Sequence, residues 1–535
     1  MSLPPLAAAT VERYRAAGAW QDLCLYEVID RHAAEDPDRE AAVDQTRRLS
    51  YAELVAESNA LARFLIEELG VSDGEPVVVQ SGNRVELGVA QLACARAGAT
   101  FVPLSDAWRE QELRHLLALS EAVVALVPGG ERYDHLGAVA AMRSELPALR
   151  ALASLDGGGD FELPAILSTA AEPVAARRDP NLARYTMVSS GTTAVPKISL
   201  WSDNDLWRFH STWAEAVALN FKDRMVGLAP AGTGAIGYVY GVLFPLLAGA
   251  TSILLERWDA AAALRLLAAE RATIATAVPT QIVKLLQEPG AETAELPLLR
   301  VVTNAGAPMP ADAAAQLERG WGCRIQTVYG ATDGGVPLMT RIDDPAEKRR
   351  RTVGRPLPLT DLKLVDPAMA EVAAGEPGEL LWRSPTKSFG YLNDPERTEQ
   401  AFWGEGYYRS GDLGQADEDG YFRIVGRAKD MIIRGGQNIS PLEIEEAVSR
   451  HPAVAEVAAV GVPDPVYGER ACAVVALRDG AELELELEEL LAFLAERGTA
   501  KFKLPERLAV VPELPKNASG KVSKEEVKQM IEGER

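Results

Sequence analysis

Five short segments hold most of the chemistry available to this 535-residue chain. The first, Ser189-Ser190-Gly191-Thr192-Thr193-Ala194-Val195-Pro196-Lys197, follows the apolar run Tyr185–Val188. A strand entering a hydroxyl- and glycine-rich turn that ends in lysine is suited to phosphate: backbone N–H groups, hydroxyls and an ammonium converge on anionic oxygens. The spacing is not the GxxxxGK[ST] of a P-loop. The second segment, Tyr329-Gly330-Ala331-Thr332-Asp333-Gly334-Gly335, offers an aromatic face, a hydroxyl and a carboxylate on one glycine-flanked loop. Such a loop can stack a base and hold a cation beside phosphates. In Tyr408-Arg409-Ser410-Gly411-Asp412-Leu413-Gly414 a carboxylate is placed to accept ribose hydroxyls. Gly426-Arg427-Ala428-Lys429-Asp430 opens a linker, and Pro515-Lys516-Asn517-Ala518-Ser519-Gly520-Lys521 puts a lysine after a glycine turn. The first segment alone reads equally well as a flexible turn, and each of the others alone reads better as a surface turn; their company carries the signal.

These segments need elements to position them, and the hydrophobic pattern supplies an alternation of strands and helices. Glu53–Glu68 reads as an amphipathic helix, Pro76–Gln80 as a strand, Glu86–Ala97 as a helix ending at Gly98, and Thr100–Leu104 as the next strand. That rhythm predicts an α/β fold with helices covering largely parallel sheets. Ala138–Asp179 reads as a surface excursion. Val226–Leu255 is uncharged and long enough to span a bilayer, but Pro230, Pro245 and six glycines break it into strand, loop, helix and strand. After residue 425 the texture becomes compact α+β: helix Pro441–Arg450, strands Val454–Val462 and Ala471–Arg478, helix Glu486–Arg497. The expected boundary is at Lys429, with a large domain over 1–428 and a small one over 429–535.

Composition narrows the function classes. Lys plus Arg total 55 against 77 Asp plus Glu, a net charge of −22. That balance argues against nucleic acid and against a polybasic membrane anchor, so any anionic ligand needs a local site. Four separated cysteines and five scattered histidines form no CxxC or HExxH pattern, so a disulfide framework or zinc site is not expected. The N-terminal residues lack a basic stretch followed by an apolar core, and a cytoplasmic protein is expected. Lys348-Arg349-Arg350-Arg351 reads as a solvated basic loop, and the acidic stretch Glu482–Glu489 as a solubilising face.

Together and in this order, the five segments resemble the superfamily of adenylate-forming enzymes: acyl- and aryl-CoA synthetases, nonribosomal adenylation domains and luciferases. The resemblance runs from about residue 45 to the end. Tyr14–Asp22 and Lys501-Phe502-Lys503-Leu504-Pro505 look most like the stand-alone aryl-acid branch. It implies a large domain of helix-covered sheets with a β-barrel-like part and a small mobile α+β domain. It also implies activation of a carboxylic acid by ATP and Mg²⁺, then transfer of the acyl group to CoA or to a carrier protein's pantetheine. Joining the acid to AMP supplies a leaving group, and lysine and Mg²⁺ offset the approach of negative oxygens.

Residue by residue, the resemblance puts Thr192, Thr193 and Lys197 at the β- and γ-phosphates. Gly306, Ala307 and Pro308 would line adenine and acyl group, Tyr329 would stack on adenine, and Thr332 would bond the α-phosphate. Asp333 would hold Mg²⁺, and Asp412 would grip the ribose with Arg427 nearby. Lys429 would be the hinge, Lys521 would bridge carboxylate and α-phosphate, and Gly436 would line the pantetheine tunnel.

Three departures qualify this picture. Ala194 stands where the family usually has Gly, and Asp333 where it usually has Glu. Both fall on the ATP and Mg²⁺ side, which opens a second reading: weak or absent adenylation, with transfer of a preformed acyl adenylate to CoA. The aryl-acid branch usually has a His-Asn pair after the Pro-Ala turn. Here Pro230-Ala231 leads into Gly232, Thr233, Gly234, Ala235 and Ile236. Without those polar groups a ring hydroxyl would be buried unpaired, and the glycines leave volume unless Tyr238 and Tyr240 fill it. The expected substrate is therefore a bulky, largely apolar acid. A luciferase-like oxygenase shares the adenylate chemistry. Retention of Lys197 and Lys521 argues against a nonenzymatic relic, and no GxGxxG follows an early strand to suggest an NAD enzyme.

Overall fold

A computed structural model describes residues 8–130, 132–174, 179–189, 196–230, 235–435, 437–478, 485–516 and 522–533. Packing divides the chain into two units: Met1–Asp361 with Trp382–Tyr408, and Leu362–Leu381 with Arg409–Arg535. This division differs from a single cut at Lys429, because the ladder between strands Tyr407–Ala416 and Phe422–Arg427 keeps residues 412–427 together.

In the first unit, local signals fix the helices. Ser50 caps helix Tyr51–Glu67: its hydroxyl accepts from the Glu53 N–H, while the Glu53 carboxylate accepts from the Ser50 N–H. The helix therefore starts two residues before the expected Glu53. Helix Val85–Ala97 is buried on every side and ends at Gly98, whose φ of +72° suits glycine. A six-stranded sheet runs in the order Ala151–Ser154, Val124–Val127, Pro76–Ser81, Thr100–Ser105, Ala183–Ser189, Lys197–Ser202. It is parallel except for its last pair. A nine-stranded sheet has a parallel centre made of Val301–Ala305, Ile274–Ala277, Arg224–Gly227 and Thr251–Leu254. Arg324–Ala331 pairs parallel with Val301–Ala305 and antiparallel with Gly335–Met339. Val77, Val79 and Phe101 of one sheet and Ile274, Val301 and Val328 of the other belong to one buried core that also takes in helix Val85–Ala97.

Three expectations change here. Residues 138–179 are not a mere excursion: Ala151–Ser154 is an integral parallel strand, flanked by helices His135–Ala141 and Leu163–Leu167. The basic run lies in helix Ala346–Arg351, not a loop; buried Arg349 and its neighbour Arg350 both pair with Glu318. The helix expected within 226–255, between strands Arg224–Gly227 and Thr251–Leu254, is present but is a π-helix, Ala235–Leu243, running into Phe244–Leu247. That π-helix lies close on the nine-stranded sheet: a Cβ on Gly227 would sit 3.0 Å from the Gly241 Cα. Tyr238 and Tyr240 are both buried in the main core, so their rings pack into the protein body.

The second unit has its own sheet, in the order Gln437–Ile439, Ile432–Arg434, Gly468–Leu477, Val454–Asp464, with Arg507–Val511 parallel to Gly468–Leu477. Helices Pro441–Val448 and Leu487–Glu496 close one face over Ile432, Ile439 and Val475. Helix Lys524–Gly533 contributes Val527 to the other face. The expected α+β pattern is present, with ends moved by one to three residues. All four cysteines are buried, and none forms a disulfide. Among the described residues no helix is long and apolar enough to cross a membrane.

Candidate active site

The Tyr329–Gly335 segment turns between the antiparallel strands Arg324–Ala331 and Gly335–Met339. Every carbonyl at its tip is pinned. Ser199 Oγ shares its one proton between the Thr332 carbonyl at 3.0 Å and that of Met187 at 2.9 Å, Ser388 Oγ donates to the carbonyl of Asp333, and Trp382 Nε1 to that of Gly334 at 2.7 Å. Gly335 holds φ at +81°, and a Cβ there would lie 1.9 Å from the Thr386 carbonyl oxygen. The turn is therefore rigid, and its glycines allow neighbouring backbone to approach.

The Asp333 carboxylate is held on both oxygens. Tyr391 Oη donates to Oδ2, and Tyr408 Oη donates to Oδ1 at 2.8 Å. Burial, reinforced by the Asp333 charge, raises both phenols above their ordinary range, so they remain protonated donors. The Tyr408 ring packs against Trp382 at 4.8 Å between centroids. Trp382 also meets Tyr329, the expected adenine platform, edge-on at 6.1 Å.

Lys197 begins strand Lys197–Ser202, paired with Ser189 at the end of Ala183–Ser189. Its Nζ lies 3.4 Å from Tyr391 Oη and 4.8 Å from the centre of that ring. Lys197, Thr332 and Asp333 were expected at one site from segments more than 130 residues apart in sequence, and this structure gathers them. Ala305 pairs with Val328, which sets Gly306 at the strand end beside Tyr329. Gly306 (φ +90°), Ala307 and Pro308 are exposed there. Ile236, on the π-helix, is buried in the main core together with Val336, and Ala235 and Ala305 pack on the same cluster.

In the second unit Asp412 stands opposite Arg427 in a strand pair, and Arg427 Nε donates to Asp412 Oδ1 at 2.6 Å. Lys429 is exposed in the turn Ala428–Asp430. Thr192, Thr193, Ala194, Gly232, Thr233, Gly234, Gly436 and Lys521 lie outside the described residues. Sequence reasoning missed Tyr391 and gave Tyr408 no role, although Tyr408 opens the Asp412 segment. Tyr391 sits in Phe389-Gly390-Tyr391-Leu392, where two aromatics flanking a glycine carry no distinguishing signal.

A divalent cation fits Asp333. Each carboxylate oxygen keeps lone-pair capacity after accepting one phenol, and Mg²⁺ is commonly held by one or two carboxylates plus substrate phosphates. Among the described residues no group of three His, Cys, Asp or Glu forms an all-protein metal cage.

Comparison with known proteins gives a consistent picture. The family model for the AMP-binding enzyme matches residues 29–392, and that for the AMP-binding enzyme C-terminal domain matches 443–521. The chain is 31% identical over 519 residues to the medium-chain fatty-acid–CoA ligase of Escherichia coli, covering 96% of this chain and 91% of that one. It is 34% identical over 532 residues to the 2-hydroxy-7-methoxy-5-methyl-1-naphthoate–CoA ligase of Streptomyces carzinostaticus, covering 96% and 94%. Among solved structures, the anthranilate CoA ligase AuaEII in complex with anthranoyl-AMP matches with a TM-score of 0.86 and 25% identity, covering 95% and 97%.

Proposed function

The chain belongs to the AMP-binding, adenylate-forming enzyme family, and from that premise we propose that it is an acid–thiol ligase. It joins a carboxylic acid to AMP at the expense of ATP, releasing pyrophosphate, and then transfers the acyl group to CoA. The observation that carries this reading is the convergence of Lys197, Thr332 and Asp333 on one rigid turn. In it Lys197 offsets charge on the departing phosphates, Thr332 offers a hydroxyl to the α-phosphate, and Asp333 holds Mg²⁺, which supplies Lewis-acid stabilisation when bound. Asp412 takes the ribose hydroxyls, Lys521 bridges the two reacting anions, and Lys429 is the hinge between the half-reactions.

The substrate proposed is a bulky, largely apolar acid. Ile236 and Val336, with Ala235 and Ala305 packed on the same core, offer no hydroxyl partner, and the His-Asn pair is missing from the sequence. The relative named for 2-hydroxy-7-methoxy-5-methyl-1-naphthoate supports a bicyclic acid by its bulk, though that acid carries a ring hydroxyl. A panel in which small hydroxybenzoates outperform large alicyclic or polycyclic acids contradicts this assignment.

A second reading is favoured by Ala194 and by Asp333, whose two oxygens already accept phenols. In it the chain only transfers a preformed acyl adenylate. Loading of a carrier protein in place of CoA is the remaining variant of the thiol step. A paired assay separates them. One arm supplies acid, ATP and Mg²⁺ and follows pyrophosphate; the other supplies synthetic acyl adenylate with CoA or a phosphopantetheinylated carrier and follows thioester. Product in both arms, with CoA as acceptor, is expected. Thioester without pyrophosphate, restored by Ala194→Gly, establishes the transfer-only reading.

A further inference from the structure

Lys197 and Asp333 have separate tasks in the two-step reading, yet one phenol touches both. We propose that Tyr391 is a positioning residue that couples Lys197 to Asp333 for the pyrophosphate-releasing half of the reaction, with Tyr408 as the carboxylate's second support. The proposal rests on the ligase reading above.

A phenol has one proton to give and lone pairs to receive with. Tyr391 gives its proton to Asp333 Oδ2, so its lone pairs are left for the Lys197 ammonium, 3.4 Å away. The ring face, 4.8 Å from Nζ, adds a cation–π attraction. A neutral group thus bridges two opposite charges. A direct ion pair would let each neutralise the other before a nucleotide arrives. The phenol keeps both in reach while leaving the other ammonium protons and carboxylate lone pairs for phosphate and cation.

The backbone is built to hold Tyr391 there. Residues 389–392 lie antiparallel along strand Lys197–Ser202: the Leu200 N–H donates to the Gly390 carbonyl at 3.0 Å, and the Leu392 N–H to that of Ile198 at 2.8 Å. The Tyr391 N–H donates to Thr398 Oγ1 at 2.9 Å. Gly390 has φ +115°, and a Cβ on it would sit 2.4 Å from Thr398 Cγ2. The same seat accounts for the aspartate. Two phenols fix the depth of the carboxylate, and the shorter side chain reaches them from a turn whose carbonyls are already pinned.

The test is Tyr391→Phe, which keeps the ring and removes the hydroxyl, with Tyr408→Phe beside it. Tyr391→Phe should slow pyrophosphate release by about 10- to 100-fold, the range for losing a hydrogen bond to a charged group, while thioester formation from synthetic acyl adenylate stays within about twofold. Calorimetric affinity for α,β-methylene-ATP with Mg²⁺ should fall about tenfold in the same variant. Tyr408→Phe should lower that affinity only when Mg²⁺ is present, because it touches Asp333 and not Lys197. Equal slowing of both half-reactions means a structural role and overturns the proposal. So does unchanged affinity for the analogue, or a wild type that does not bind it. The calorimetric arm needs no turnover, so it decides the positioning role even if wild type releases no pyrophosphate; that result would fall on the ligase reading alone.

Discussion

A carboxylate gripped by two phenols has little freedom to follow its ligand, and this sets what a substitution at Asp333 does. Family resemblance alone suggests that Asp333→Glu restores the usual residue and improves activity. The geometry argues the reverse. An added methylene drives the carboxylate into the Tyr391 and Tyr408 hydroxyls, and the turn cannot retreat because its carbonyls are bonded to Ser199, Ser388 and Trp382. Overpacking of this kind costs about 1–3 kcal/mol. Asp333→Glu should therefore lower pyrophosphate release by about fivefold or more and raise the Mg²⁺ concentration needed for half-maximal rate, measured by a pyrophosphate assay across Mg²⁺ concentrations. An increase in rate would show that the phenols yield and that the aspartate is a defect.

At the scale of elements, the contact between the π-helix Ala235–Leu243 and the nine-stranded sheet depends on two facing glycines. Gly227→Val puts its Cβ 3.0 Å from the Gly241 Cα, and neither backbone can turn aside as a side chain would. The expected loss is about 2–3 kcal/mol, read from urea unfolding, with a larger fall in acid activation than in binding of the ATP analogue, since Ile236 rides on this helix. Gly227→Ala should fall between the two proteins. This contact also marks where sequence reading stops. Helices Tyr51–Glu67 and Val85–Ala97 were legible because periodicity and the Gly98 cap act within a few residues. The helix within 226–255 was legible too, as a break between two apolar strands, but its π geometry was not, because the extra residue per turn erases the 3.6 period. Strand Ala151–Ser154 was hidden because it is only four residues long, three of them with small side chains, amid alanine-rich sequence. Lys197, Thr332 and Asp333 were legible as types at a spacing; Tyr391 acquires its role only from strand pairing that no local pattern encodes.

For the whole molecule, acid stability follows from what the core encloses. His210 is buried, its ring 5.2 Å from Phe244 and 5.5 Å from Trp207. Loss of hydration, with His32 opposing the charge as well, holds its pKa down to about 3 from an ordinary 6.5. Buried His135 is held down to about 4 by burial and then by Arg109. The unfolded chain binds each proton near pH 6.5 and the folded chain only well below it. The stabilisation from neutral burial is therefore complete above pH 6.5 and drains away as pH falls toward the folded values, at up to about 1.4 kcal/mol per pH unit for each group. Other groups push the opposite way. Asp205, raised by burial to about 7, contributes stability that is lost as pH rises through that value, and protonating carboxylates relieves a net charge of −22. The sum has no obvious sign, so the useful quantity is a difference between two proteins that share all the other groups. His210→Phe replaces the imidazole with a ring that never takes a proton. Relative to its own stability at pH 7.5, wild type should lose about 2 kcal/mol more than the variant on going to pH 5, measured by urea unfolding at matched ionic strength. Parallel curves for the two proteins would mean that His210 finds a way to carry its proton inside the fold, and acid sensitivity would then have to come from the carboxylate network instead.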